Sequence, residues 1–294
     1  MRYEGVITPM ITPFKKNGEI DLEATDLLIE RIKGYGSSGL FPLGSTGLFS
    51  FLQKEERDRF LRYVIDNAHG LPVLAGVGSS STQEAISYGK KAMDFGVNAL
   101  VLMPTYYITP GQEEIKDHYS RFFESVSGDT FVYNIPQLTQ AWIQPETARW
   151  LMSQHSQIIG LKESSGDMRY FSKLMALKEG DFSIFQGQDD LLVPSLSLGA
   201  SGGVCGLTNF SDAVVRAYRA YKEGSYEKAM EIQLEEVDPI IHALQNATFP
   251  SLYYDMFYRI NEIEGGFRSP MLRPSRDLSE FAERTISHVS PEKI

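Results

Sequence analysis

Cysteine is nearly missing from this chain. Cys205 stands alone among 294 residues, which excludes an intrachain disulfide and any Cys-rich zinc site. Long apolar runs are missing too. A membrane span needs about 18 consecutive apolar residues, and stretches such as Asn98-Ala-Leu-Val-Leu-Met-Pro104 stop far short. Excess positive charge is absent: 28 basic against 38 acidic residues leave a net charge of −10, the wrong sign for a nucleic-acid phosphate backbone. The five histidines (His69, His118, His155, His242, His288) are scattered, with none in HExxH spacing, so no metal site is expected. Near the start, Met1-Arg-Tyr-Glu-Gly-Val places an acid where a secretory leader has its apolar segment. The expectation is a cytoplasmic protein acting on a small molecule, with no nucleic-acid or membrane partner.

What is present is ordinary globular material, 42% hydrophobic and 22% charged, enough for one large domain or two ordinary ones. Short apolar runs recur through the first two-thirds: Gly5–Thr8, Gly39–Phe41, Pro72–Ala75, Ala99–Leu102, Thr130–Tyr133, Ile158–Leu161, Ser183–Phe185 and Gly203–Cys205. Near-continuous apolarity marks strands covered on both faces. Helix-period segments lie between them. Asp21 caps one that Gly34 is expected to stop, Ser81-Thr-Gln-Glu84 reads as a capping box for another, and Phe60, Leu61, Val64, Ile65 and Ala68 stripe a third. Eight strands alternating with helices predict a parallel (β/α)8 TIM barrel, ahead of a doubly wound open sheet. After about residue 210 only helical segments remain: Ser211–Gly224, Tyr226–Ala247, Phe249–Glu264 and Leu278–Val289. The expected division is a barrel over 1–224 and a helical extension over 225–294 packed on it.

In such a barrel, chemistry sits where strands end and in the loops that follow. Lys162 closes the run Ile158–Leu161. A desolvated lysine amine can add to a ketone and form an electron-withdrawing iminium. The alternative is a lysine that reaches out to water or pairs with Glu163. Tyr133 ends the preceding strand, and neighbouring strands lie about 4.8 Å apart, so phenol and amine are placed to share one substrate. A lone phenol is a poor base but relays protons when other hydroxyls share them; Ser45, Thr46 and Tyr107 are the candidates. A tyrosine merely filling the barrel mouth remains the alternative. Gly44-Ser-Thr-Gly47 reads either as a nest of N–H groups for a carboxylate or as a plain tight turn.

Two familiar patterns fail. Gly76-Val-Gly-Ser-Ser-Ser81 has serine in place of the third glycine of a dinucleotide fingerprint, and the next strand ends in Met103-Pro104 without an acid. Gly199-Ala-Ser-Gly-Gly203 fits a hydrolase nucleophile pattern around Ser201 but precedes a strand, whereas a nucleophile elbow follows one.

Taken in order, Gly44-Ser-Thr-Gly47, Tyr106-Tyr107, Tyr133-Asn-Ile-Pro136, Gly160-Leu-Lys162-Glu-Ser-Ser-Gly-Asp167 and Gly199-Ala-Ser-Gly-Gly-Val204 resemble the dihydrodipicolinate synthase / N-acetylneuraminate lyase family over nearly the whole chain. That resemblance implies a (β/α)8 barrel with a C-terminal helical extension, assembled as a homotetramer, and pyruvate-dependent class I aldol chemistry without cofactor or metal. It implies that Lys162 forms the Schiff base and Tyr133 shuttles the proton. Ser45 and Thr46 would hold the pyruvyl carboxylate, with Thr46 in the relay and Tyr107 completing it across a subunit interface. Ser164, Gly187, Gln188 and Asp189 would line the pocket for the rest of the substrate.

Two departures narrow the implied substrate. Gln137-Leu138 stand where the synthases usually carry an arginine for the aldehyde's carboxylate, and Leu48 replaces the glutamate that generally closes the Gly-x-x-Gly-Glu pattern. Gly-Ser-Thr-Gly-Leu resembles instead the subgroup that cleaves 2-keto-3-deoxygluconate to pyruvate and glyceraldehyde. A dihydrodipicolinate synthase, or an aldolase for another 2-keto-3-deoxy sugar acid, is the alternative. With no cation in Tyr106-Tyr-Ile-Thr-Pro110 or Gln137-Leu138, the unphosphorylated acid is the expected preference.

Overall fold

The computed structural model describes residues 3–289; Met1 and Arg2, where the leader argument begins, and positions 290–294 lie outside the described residues. Strands and helices alternate as β1 (Gly5–Pro9), α1 (Leu22–Tyr35), β2 (Gly39–Phe41), α2 (Lys54–Asp66), β3 (Leu74–Gly76), α3 (Thr82–Phe95), β4 (Ala99–Leu102), α4 (Gln112–Ser125) and β5 (Thr130–Asn134). The alternation continues with a short α5 (Pro136–Thr139), α6 (Pro145–Gln154), β6 (Ile158–Glu163), α7 (Met168–Met175), β7 (Ser183–Gln186), α8 (Leu192–Ser197), β8 (Gly202–Val204) and α9 (Ala213–Lys222). All strand pairs are parallel, in the order β2-β1-β8-β7-β6-β5-β4-β3. The ring is nearly closed between β2 and β3 by one bridge, Leu40 with Val73. This is a TIM barrel, not an open sheet.

The apolar runs form strands because both faces are covered: helices lie outside, and side chains fill the inside. Phe131 and Phe185 meet edge-on inside the ring with centroids 5.7 Å apart, and Tyr3 packs on Phe131 at 5.4 Å. Above Phe131, Tyr133 and Lys162 stand in register with Phe185 on β5, β6 and β7. The barrel is therefore plugged below the level of the lysine.

Several local readings shift. Asp21 does cap α1, accepting from the Ala24 N–H, but the helix passes through Gly34 and stops at Gly36. Gly36 adopts the left-handed φ of 84° that a C-terminal cap requires, and its N–H reaches the carbonyls of Ile32 and Lys33. The capping box at α3 does not form, because Glu84 is taken by the hydroxyl of Ser79, which also accepts from the Ser81 N–H. Strand β3 starts two residues later than expected. Pro72 has no N–H for a ladder and offers only its carbonyl, to the Leu40 N–H.

Beyond α9 come α10 (Tyr226–Ile232), a π-helical stretch Gln233–Val237, α11 (Asp238–Leu244), α12 (Ser251–Ile260) and α13 (Arg276–Val289). The single helix expected over Tyr226–Ala247 thus carries a widened turn and ends at Leu244. The widening immediately precedes Asp238-Pro239, and a proline inside a helix cannot donate to the preceding turn. Apolar packing runs across residue 224 without a break. Tyr254, Phe257 and Tyr258 belong to the same core cluster as the barrel interior, while Val6, Leu192 and Val214 cluster with Ile240, Leu252 and Ile286. Two phenols latch the extension to the chain after β1: Tyr254 accepts from the Thr12 N–H at 3.1 Å and Tyr258 from the Phe14 N–H at 2.9 Å.

Candidate active site

A cavity of about 340 Å³ opens at the C-terminal ends of the strands. Its floor is set by the alternation of side chains along β5 and β6. Tyr133 and Lys162 are register partners facing into the barrel, and both are about 5% exposed. The Lys162 Nζ lies 4.2 Å from the Tyr133 ring centroid and 4.9 Å from that of Phe41. Phe41 itself meets Tyr133 edge-on at 6.5 Å. Such cation–π contacts contribute roughly 0.5–2 kcal/mol each. Glu163 is not the lysine's partner. It points the other way, fully buried, and accepts from the Asn134 amide at 3.1 Å and the Ser165 N–H at 2.6 Å. Burial pushes its carboxyl up, against the pull of those bonds. Among the described residues, no carboxylate lies within ion-pair distance of Lys162.

Ser45 and Thr46 line the same cavity from the loop after β2. The segment is a tight turn: Gly47, Leu48 and Phe49 donate back to Gly44 and Ser45, while the N–H groups of Ser45 and Thr46 take no part in its bonding. The hydroxyl of Ser45 is buried without a hydrogen-bond partner, and so is that of Ser164. A buried unmade hydrogen bond costs about 1–3 kcal/mol, so both atoms suit a polar ligand. In the free chain no hydrogen bond joins Thr46 to Tyr133 among the described residues.

Ser164, Gly187, Gln188 and Asp189 line the cavity as well, but two of them are committed to holding loops. Gln188 donates to the Ser164 carbonyl at 2.7 Å, and Gln137 donates to the same carbonyl at 2.9 Å and to that of Ser165 at 2.7 Å. Asp189 accepts from the N–H groups of Gly206 at 3.0 Å and Leu207 at 2.8 Å, and its own carbonyl receives the Gln233 amide. It ties the loops after β7 and β8 to the extension.

Burial pushes the Asp189 carboxyl from 3.8 up to about 7, outweighing the two N–H bonds; Asp190 adds to the rise and Lys162 opposes it. The unfolded chain therefore holds fewer protons than the folded one between about pH 4 and 7. The contribution of this group to stability is full below about 3.8 and is lost as pH rises towards about 7. Asp189→Asn should melt lower than the parent at pH 4, since one amide oxygen must serve two N–H groups. Its melting temperature should then decline less steeply towards pH 7; parallel melting curves across that range would contradict the assignment.

The extension supplies the far wall with Ile241, Leu244, Gln245, Ala247, Phe249 and Tyr253. The sequence reading missed all six. Their only signal was an apolar stripe indistinguishable from a packing face.

Tyr107 does not join the others within one chain. It is 92% exposed, with a left-handed φ of 79°, and is not among the residues lining the cavity. Tyr106 turns inward instead and packs edge-on against Phe49 at 6.0 Å. Ser201 lies just ahead of β8, at the opposite end of the barrel, and its buried hydroxyl accepts from the Ile184 N–H. Gly76 of the failed fingerprint packs against the Leu43 carbonyl. His118, whose Nδ1 lies 2.9 Å from the Thr82 hydroxyl, is pushed down to about 4 by burial.

The sequence model of the dihydrodipicolinate synthetase family matches residues 2–289. The chain is 47% identical over 291 residues to an uncharacterised DapA-like lyase of Thermoplasma acidophilum, covering 99% of each. It is also 47% identical to a 2-dehydro-3-deoxy-D-gluconate/2-dehydro-3-deoxy-phosphogluconate aldolase of Picrophilus torridus, covering 90% of this chain and 98% of the relative. The solved structure of a 2-keto 3-deoxygluconate aldolase from Picrophilus torridus superimposes with a TM-score of 0.91, covering 93% of this chain and 98% of that one.

Proposed function

We propose that this chain, which belongs to the dihydrodipicolinate synthetase family, is a class I aldolase that reversibly cleaves 2-keto-3-deoxygluconate to pyruvate and glyceraldehyde. The observation that carries this is Lys162: a buried amine without an ion-pair partner among the described residues, 4.2 Å from the ring centre of Tyr133, on the floor of a cavity. The Picrophilus torridus relative named for this sugar acid and its phosphate, and the solved Picrophilus torridus aldolase named for the sugar acid, support the choice of sugar acid.

In this reading the amine of Lys162 adds to C2 of the keto acid and releases water, giving an iminium. The iminium accepts the electron pair of the C3–C4 bond as that bond breaks, while Tyr133 takes the proton of the C4 hydroxyl and passes it on through Thr46. Glyceraldehyde leaves. The enamine is protonated at C3, and water returns to C2 to free pyruvate and the lysine. The N–H groups of Ser45 and Thr46, with the Ser45 hydroxyl, bind the carboxylate. The assembly we propose is a homotetramer, in which a neighbouring copy brings the exposed Tyr107 into the relay.

Among the described residues Lys162 is the only basic side chain lining the cavity, whose wall includes Leu138, Ile241, Leu244 and Phe249. A phosphate entering there would lose hydration without a charge partner. The kcat/KM for the 6-phosphate should therefore be at least about tenfold below that for the free acid. A panel of both compounds, the galactose-series epimer and N-acetylneuraminate for cleavage, and aspartate semialdehyde with pyruvate for condensation, tests the reading. Equal turnover of the phosphate would refute the stated preference, and condensation of the semialdehyde alone would make the chain a synthase.

A further inference from the structure

We infer that Tyr253 reads the hydroxylated aldehyde half of the substrate, holding it from the side of the cavity opposite Tyr133. This rests on the aldolase reading and adds a residue of the extension to the part of the cavity that Ser164, Gly187, Gln188 and Asp189 also line. Tyr253 sits on α12 of the extension and lines the cavity. Its ring lies over Gly206, just beyond β8, whereas Tyr133 is the penultimate residue of β5; β6 and β7 stand between these strands in the ring. A Cβ on residue 206 would come within 2.6 Å of the Tyr253 Cε1, so glycine is what lets the phenol advance this far. Phe249 at 5.7 Å and Phe210 at 6.0 Å hold the ring edge-on from two sides.

The hydroxyl has no hydrogen bond to any described residue. Asp189, which shares the wall, already spends both oxygens on the Gly206 and Leu207 N–H groups. Burial, reinforced by Asp189 and Asp190, pushes the phenol well up, so it stays a neutral O–H throughout the physiological range. Around it the extension presents Ile241, Leu244 and Ala247, while Gln245 is exposed at the mouth. One neutral donor and acceptor in an apolar wall suits an uncharged, hydroxyl-bearing aldehyde. It does not suit a carboxylate or phosphate, which would need a cation.

The test runs the reaction in the condensation direction with pyruvate and either glyceraldehyde or propanal, which lacks the hydroxyls. Tyr253→Phe keeps the ring and its packing. It should lower kcat/KM for glyceraldehyde about tenfold, mostly through KM, and leave propanal within about twofold. The variant should still form the borohydride-fixed pyruvate adduct as the parent does. Equal losses on both aldehydes would reduce Tyr253 to a packing residue and overturn the inference, as would no loss on either. With the adduct intact, such results leave the aldolase reading standing; absence of the adduct from the parent would overturn both.

Discussion

Replacing Lys162 with alanine should lower kcat by at least about 10⁴-fold, some 5.5 kcal/mol of barrier, while the protein stays folded. The expectation follows from what the amine does and from where it sits. Among the described residues no other amine lines the cavity, so the covalent route through an iminium has no substitute, and without that electron sink the C3–C4 bond has nowhere to send its electrons. Removal of the side chain enlarges a cavity that already opens to solvent and leaves Phe41 and Tyr133 in mutual contact. Thermal unfolding should therefore be close to that of the parent, which separates loss of chemistry from loss of structure. A K162A protein with more than about 1% of parental turnover would be incompatible with the mechanism.

Tyr133→Phe should lower kcat by about 10²–10⁴-fold, the range of a positioned proton-transfer group. The ring survives, so the aromatic floor beneath Nζ and the edge contact with Phe41 remain. Only the hydroxyl is lost. Because Schiff-base formation with pyruvate depends on the lysine, the variant should still be trapped by borohydride in the presence of pyruvate while failing to turn over. The split between trapping and turnover is the diagnostic readout. Parental kcat in Y133F would remove the phenol from the relay and place the proton on another group.

The barrel was legible because each strand is buried on both faces and is therefore apolar without interruption. Lys162 and Tyr133 stood out because each ends such a run, and the register of β5 with β6 makes them neighbours. Other features were not legible, for specific reasons. The helix stop moved from Gly34 to Gly36 because both glycines look alike in sequence and only the latter has the left-handed backbone. Ser81-Thr-Gln-Glu84 looked like a cap because spacing alone does not show that Ser79 takes the carboxylate. Asp189 was read as pocket lining, and its role as a junction between two loops depends on N–H groups 17 and 18 residues away. Tyr253 lies some 90 residues from Lys162 in sequence, in a segment whose periodicity announces only a helix. Tyr107 was a relay candidate from its hydroxyl, placed across a subunit interface by resemblance, and within one chain it faces solvent.

Incubation with pyruvate and sodium borohydride, followed by intact-mass and peptide mass spectrometry, is the most direct measurement. The protein should gain the mass of a single reduced pyruvyl group, carried on the peptide that contains Lys162, and K162A should gain none. An unmodified parent protein, or an adduct on a different lysine, would contradict the assignment of Lys162 as the Schiff-base residue.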